Sequence, residues 1–165
     1  MKPEPTPLNG WTVLSLRPQN QHAQVRRAAA AWQARILALS AFGLKPGADN
    51  DELNKALACG IRIASSPAAV SHARRLAELS GDWLAIGHGT AQLLLRAGAR
   101  SVQTPAPQTA DGLLELQALH GIHGKRIGLL TAPDGRGLLE DTLISRGAEL
   151  IVAHVYVREP VALNA

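Results

Sequence analysis

The chain has 165 residues, 46% hydrophobic and 18% charged, with a formal charge of +4 at pH 7 and a pI near 9.8. That is ordinary globular composition, long enough for one domain or two small lobes with a buried core. No apolar run is long enough to span a bilayer, and Met1–Gly10 holds three prolines and no apolar signal-type segment, so no membrane partner and a cytoplasmic location are expected.

Cys59 is the only cysteine, which excludes an internal disulfide and fits a reducing compartment. The basic residues are scattered as Arg26–Arg27, Arg74–Arg75 and Lys125–Arg126. Without a Lys/Arg run or a basic–aromatic stripe, nucleic acid is not the expected partner, and a small polyanion accounts for the charge equally well. With Trp11, Trp32, Trp83, Phe42 and Tyr156 the only aromatics, the core must be aliphatic.

In chain order, Thr12–Leu16 reads as a strand ended by Arg17–Pro18, and Gln19–Gln33 as a helix. Arg35–Phe42 is a second strand closed by Gly43 and Pro46. Asp49–Asn50–Asp51 caps a short helix carrying Leu53 and Leu57 on one face. From Ile61 the alternation is regular. Strands are expected at Ile61–Ala64, Trp83–Ile86, Ser101–Gln103, Arg126–Leu130 and Glu149–Val157. Helices are expected at Pro67–Leu79, Thr90–Ala97, Ala110–Leu119 and Gly137–Ser145. Strands separated by helices predict an α/β fold, a parallel sheet flanked by helices. The Gly43–Asn50 loop sets the first strand–helix–strand unit apart, and such a unit cannot cover both faces of a sheet alone.

Three strand-to-helix turns carry the functional signal. Ser65-Ser66-Pro67 places a capping serine before a proline suited to the first helical turn. Gly87-His88-Gly89-Thr90 lets backbone N–H groups approach a ligand, and Asp134-Gly135-Arg136-Gly137 adds a guanidinium. In a parallel sheet all three lie at the carboxyl edge, where N–H donors and helix starts suit carboxylates or phosphates. The alternative is that such turns simply begin helices. Neither GxGxxG nor GxxxxGK[ST] occurs, and His120 and His123 have no ligand partner nearby, so no cofactor and no metal are expected.

The same turns, in order, resemble the uroporphyrinogen-III synthase family. Arg17–Pro18 resembles its strand–RP signature, Ser65-Ser66-Pro67-Ala68-Ala69-Val70 its TSPNAV turn, and Ile86-Gly87-His88-Gly89-Thr90-Ala91 its VG-x-x-TA turn. Gly124-Lys125-Arg126, Gly135–Arg136, Arg146-Gly147-Ala148 and Val155-Tyr156-x-Arg158 follow its later pattern. The chain departs from it at Leu16, Ser65 and Ala68, where Thr, Thr and Asn are usual, and at Ala132–Pro133.

The resemblance implies a two-lobed fold, with residues 1–34 a fragment of the first lobe and 47–150 a complete second lobe. Residues 35–46 and 151–165 would be the linker strands and tail, with the C-terminal part of the first lobe missing. It implies cyclisation of hydroxymethylbilane, a linear tetrapyrrole, to uroporphyrinogen III with loss of water, in haem biosynthesis and without a cofactor. Tyr156 would give a proton to the leaving hydroxyl. Arg17, Ser65, Ser66, Gly87, Thr90, Gly135 and Arg136 would hold the substrate. The alternative is a non-catalytic remnant or a tetrapyrrole-binding module, and the uncovered first unit makes self-association expected.

Overall fold

A computed structural model of the chain describes residues 7–47, 50–133, 135 and 137–161. The chain divides into two units, Met1–Lys45 with Arg158–Ala165, and Pro46–Val157.

In the first unit β1 (Thr12–Ser15) and β2 (Arg35–Ala38) pair in parallel, joined by α1 (Ala23–Ala31). The helix is shorter than the expected Gln19–Gln33. Asn20 takes a left-handed φ of 64° and the Gln19 amide donates to the Phe42 carbonyl, so the chain turns before it can coil. Gln33, at φ 59°, closes the other end. The expected strand Arg35–Phe42 is interrupted, because pairing with β1 stops at Ala38 and a separate β3 runs Phe42–Pro46. Gly43 and Pro46, expected to close a strand, therefore lie inside one. Arg35–Ala38, assigned above to a linker, belongs to the sheet of the first unit.

The second unit is a five-stranded sheet in the order β6-β5-β4-β7-β8, every pairing parallel. Its strands are β4 (Ile61–Ala64), β5 (Gly81–Ala85), β6 (Ala99–Gln103), β7 (Arg126–Thr131) and β8 (Glu149–His154). The helices are α2 (Asn50–Leu57), α3 (Pro67–Ala73), α4 (His88–Arg96), α5 (Ala110–Leu114) and α6 (Leu138–Ser145), with a 3-10 turn at Gln117–Leu119. Asp49 of the expected capping cluster lies outside the described residues.

Both faces of the sheet are covered, which is why its strands read as continuous apolar runs. Ile63, Leu84, Ile127 and Leu129 pack with Leu113, Leu114, Leu119, Leu139 and Leu143. On the opposite face Gly128 lets a helix approach the sheet closely. A side chain at Gly128 would run into the Ala56 backbone of α2.

The expected long strand Glu149–Val157 is two strands. β8 stays in the sheet, whereas β9 (Tyr156–Pro160) pairs with β3. The second unit extends from Pro46 to Val157. The expected helix Pro67–Leu79 ends at Ala73. Leu79 is fully buried, and its carbonyl with that of Ser80 accepts from the Trp83 indole at 3.2 Å each. Those contacts pull the chain out of the helix, despite its helix-forming residues, to start β5 at Gly81. No helix among the described residues is long and apolar enough to cross a membrane.

Candidate functional site

The strand order grows outward from β4 in two directions, to β5 and β6 on one side and to β7 and β8 on the other. The carboxyl ends of β4 and β7 are therefore the topological switch point, where open α/β sheets leave a crevice for ligands. Hydroxyl groups meet there. The Ser65 hydroxyl, just past β4, donates to Thr131 Oγ1 at the end of β7 over 3.0 Å, and the Ser65 amide donates to the Leu130 carbonyl. Ser66 Oγ accepts from the Ala69 amide at 3.1 Å, capping α3, and lies 3.3 Å from the Tyr156 hydroxyl.

Tyr156 is 5% exposed, and its ring stacks on His72 of α3 with centroids 5.5 Å apart and planes 24° apart. His72 is also buried, and its Nδ1 has no hydrogen-bond partner. Burial, helped by the positive charge of Arg75, lowers its pKa below the ordinary histidine value, so the ring is held neutral.

Of the residues singled out in the sequence, Ser65, Ser66 and Tyr156 come together. Gly87 and Thr90 occupy the next turn along the same edge, after β5, and Gly135 lies in the turn after β7. Arg136 and Asp134 lie outside the described residues. Arg17 belongs to the first unit, exposed, its carbonyl accepting from Ser40 Oγ.

One expectation is corrected at the first two turns: several of their amides are already taken. The Gln108 side chain accepts from the His88 amide at 2.8 Å, the Thr90 and Ala91 amides donate to the Gly87 carbonyl, and Ser66 occupies the Ala69 amide. Thr90 itself is buried. Hydroxyl groups dominate the polar chemistry of this edge more than backbone N–H groups do. Thr131, His72 and Gln108 were not singled out in the sequence. Thr131 ends an apolar strand as a lone polar residue, which is a usable signal. His72 and Gln108 carry none, since their roles depend on packing between distant segments.

The family model for uroporphyrinogen-III synthase HemD matches residues 23–164, most of the chain. The chain belongs to the uroporphyrinogen-III synthase family. A uroporphyrinogen-III synthase of Escherichia coli (strain K12) is 37% identical over 78 residues, covering 47% of this chain and 32% of that protein. Another, of Salmonella typhimurium (strain LT2), is 36% identical over 77 residues, covering 46% and 31%. The matched region thus spans about a third of the length of these curated relatives.

Two crystal structures of the uroporphyrinogen III synthase of the extremely thermophilic bacterium Thermus thermophilus share the fold. A mutant form has TM-score 0.61 and 17% identity, over 92% of this chain and 64% of that one. The wild type has TM-score 0.53 and 17% identity, over 92% and 63%. At that identity the likeness shows the fold alone.

Proposed function

We propose that this chain serves the reaction of its family, cyclisation of hydroxymethylbilane to uroporphyrinogen III, in the cytoplasm. The observation that carries the reading is the convergence of Tyr156, Ser66 and the Ser65–Thr131 pair at the switch point of a family-type sheet. Tyr156 gives a proton to the hydroxyl that leaves as water. Ser65, Ser66, Gly87, Thr90, Gly135 and Arg136 bind the carboxylates of the tetrapyrrole. The pyrrole chemistry is intrinsically easy, so the protein's task is to hold a flexible octacarboxylate in one folded geometry. In this reading the second unit is the complete second lobe, and residues 1–34 are part of the first.

Anaerobic titration with uroporphyrinogen III tests the reading. Binding should be saturable, and Ser66→Ala should weaken it about tenfold or more, since a hydrogen bond to a charged group contributes about 1.5–3 kcal/mol. Unsaturable binding, or binding indifferent to Ser66, contradicts it. The match to part of each relative favours a second reading, a tetrapyrrole-binding module without turnover, and a binding titration supports both equally.

Self-association through the first unit belongs to the same proposal. Leu14 and Leu37 are directly paired across β1 and β2 and are 54% and 56% exposed, with Leu16 and Leu39 just past the strand ends and also exposed. Four leucines open to water favour a second copy over solvent. Sedimentation equilibrium should show a dimer that Leu14→Glu with Leu37→Glu converts to monomer. A wild-type monomer at high concentration would count against it.

A further inference from the structure

Beyond the hydroxyl cluster, the second unit holds a buried ionisable group to which no step has been given. His72 projects from the last turn of a short helix onto the ring of the one tyrosine in the chain. Among the described residues Tyr156 has a single polar contact at its hydroxyl, the 3.3 Å approach of Ser66 Oγ, which is long for an O–H···O bond. That bond alone is a weak restraint on the phenol. The ring also has the imidazole of His72 stacked on it.

We propose that His72 is a positioning residue for Tyr156: its uncharged ring holds the phenol in the plane that keeps the hydroxyl beside Ser66 at the switch point. The proposal rests on the reading of Tyr156 as the proton donor. Holding the ring this way requires a neutral imidazole. Protonation would place a cation where Nδ1 is buried and finds no acceptor among the described residues, and an unpaired buried charge is among the most expensive groups in a protein interior.

The surrounding charges do nothing to relieve that cost. Arg75, on the same segment, opposes protonation. β4, β7 and α4, which pack on α3, carry Arg62, Arg126, His88 and Arg96, and β9 carries Arg158 and Glu159 beyond Tyr156; among the described residues Arg75 is the one charge that acts on the ring.

The consequence for pH has a definite sign. Below the ordinary histidine value of 6.5 the unfolded chain takes up a proton that folded His72 refuses. The stabilisation is therefore complete above pH 6.5, and it is lost as pH falls through the lowered value of the folded state. Below that lowered value the folded imidazole is protonated and must leave the stack to reach water, and the phenol loses its clamp.

Because Tyr156 is the sole tyrosine, labelling the chain with 3-fluorotyrosine gives one fluorine signal that reports this ring alone. In the wild type the fluorine resonance should move in one step as pH is lowered, with a midpoint below 6.5. In His72→Phe the aromatic stack is restored without a titrating group, so the resonance should stay at the neutral-form position throughout. In His72→Ala it should sit away from that position at every pH. Circular dichroism over the same range identifies any global unfolding, and the Phe variant keeps the test decisive if the Ala variant does not fold. A wild-type resonance without a step, or a step that persists in His72→Phe, overturns the proposal. None of these readouts needs turnover, so their failure is distinct from failure of the proposed reaction.

Discussion

Hydroxymethylbilane given to these 165 residues on their own should yield the III isomer at about a thousandth of the rate of a full-length family member, or slower. The proposed catalysis is mostly positioning, and positioning depends on contacts around the whole substrate. In the proposed site the switch-point hydroxyls and Tyr156 meet only one side of it. The region shared with the solved Thermus thermophilus synthase amounts to 64% of that protein, so a substantial part of the scaffold has no counterpart in the match. A linear tetrapyrrole held on one side keeps most of its internal rotations. Orientation can contribute roughly 7–11 kcal/mol when a reactant is fully held, and forfeiting about 4 kcal/mol slows a step about a thousandfold. Spontaneous closure to the I isomer then dominates. Chromatographic resolution of the isomers, with and without the protein, measures this. Isomer III formed at a full-length rate would show that one side of the substrate suffices.

Replacing Gly128 by alanine should destabilise the second unit by about 3 kcal/mol, the upper end of the usual cost of overpacking a core. Gly128 sits mid-strand in β7, between β4 and β8, and a methyl group there meets the carbonyl oxygen, carbonyl carbon and Cα of Ala56. These are backbone atoms of α2, which cannot rotate aside as a side chain would, so the helix must lift from the sheet. Domains of this size have about 5–15 kcal/mol of stability in all, and 3 kcal/mol would lower a urea midpoint by roughly 1–3 M. Gly60→Ala is the matched control, since a Cβ there meets nothing within 4 Å. Equal midpoints for the two variants would mean that α2 does not rest on β7 as described.

The second unit was largely legible in the sequence because its signals are local. Ser66–Pro67 is a cap and a first-turn proline, and the structure shows Ser66 Oγ accepting from the Ala69 amide, as that pattern requires. Ile61–Ala64 and Arg126–Thr131 are short apolar runs with turns on both sides, and they lie paired at the centre of the sheet. Errors arose where distant segments overrule local preference. Arg74–Leu79 is composed like a helix, but the burial of Leu79 and the Trp83 indole bonds end it early. Glu149–Val157 alternates like one strand and divides because its two halves pair with different partners.

The site divides along the same line. Ser65, Ser66 and Tyr156 lie in segments that resemble family motifs. The bond from Ser65 to Thr131 joins positions 66 apart in the chain, and the stack of His72 on Tyr156 follows from the path of the backbone after β8. No spacing rule within a single segment encodes either contact. The expectation of open amides failed for a similar reason, because it took no account of Gln108, twenty residues beyond the amide it caps.

The central claim is that the tetrapyrrole meets this chain at the carboxyl ends of β4, β5 and β7, and the most direct measurement is where the ligand lands. Backbone amide chemical shifts recorded during anaerobic titration with uroporphyrinogen III should change at Ser65–Ala69, at Gly87–Ala91, at Thr131 and Gly135, and at Tyr156, saturating together with one dissociation constant. The opposite edge offers a built-in comparison. There Asp82 is bonded by Arg100 and Ser101, which hold its carboxyl at a pKa of about 2, and Arg62 stands over the Trp83 ring. Shifts that saturate around Arg62, Asp82 and Arg100 while the switch point stays unchanged would contradict the account.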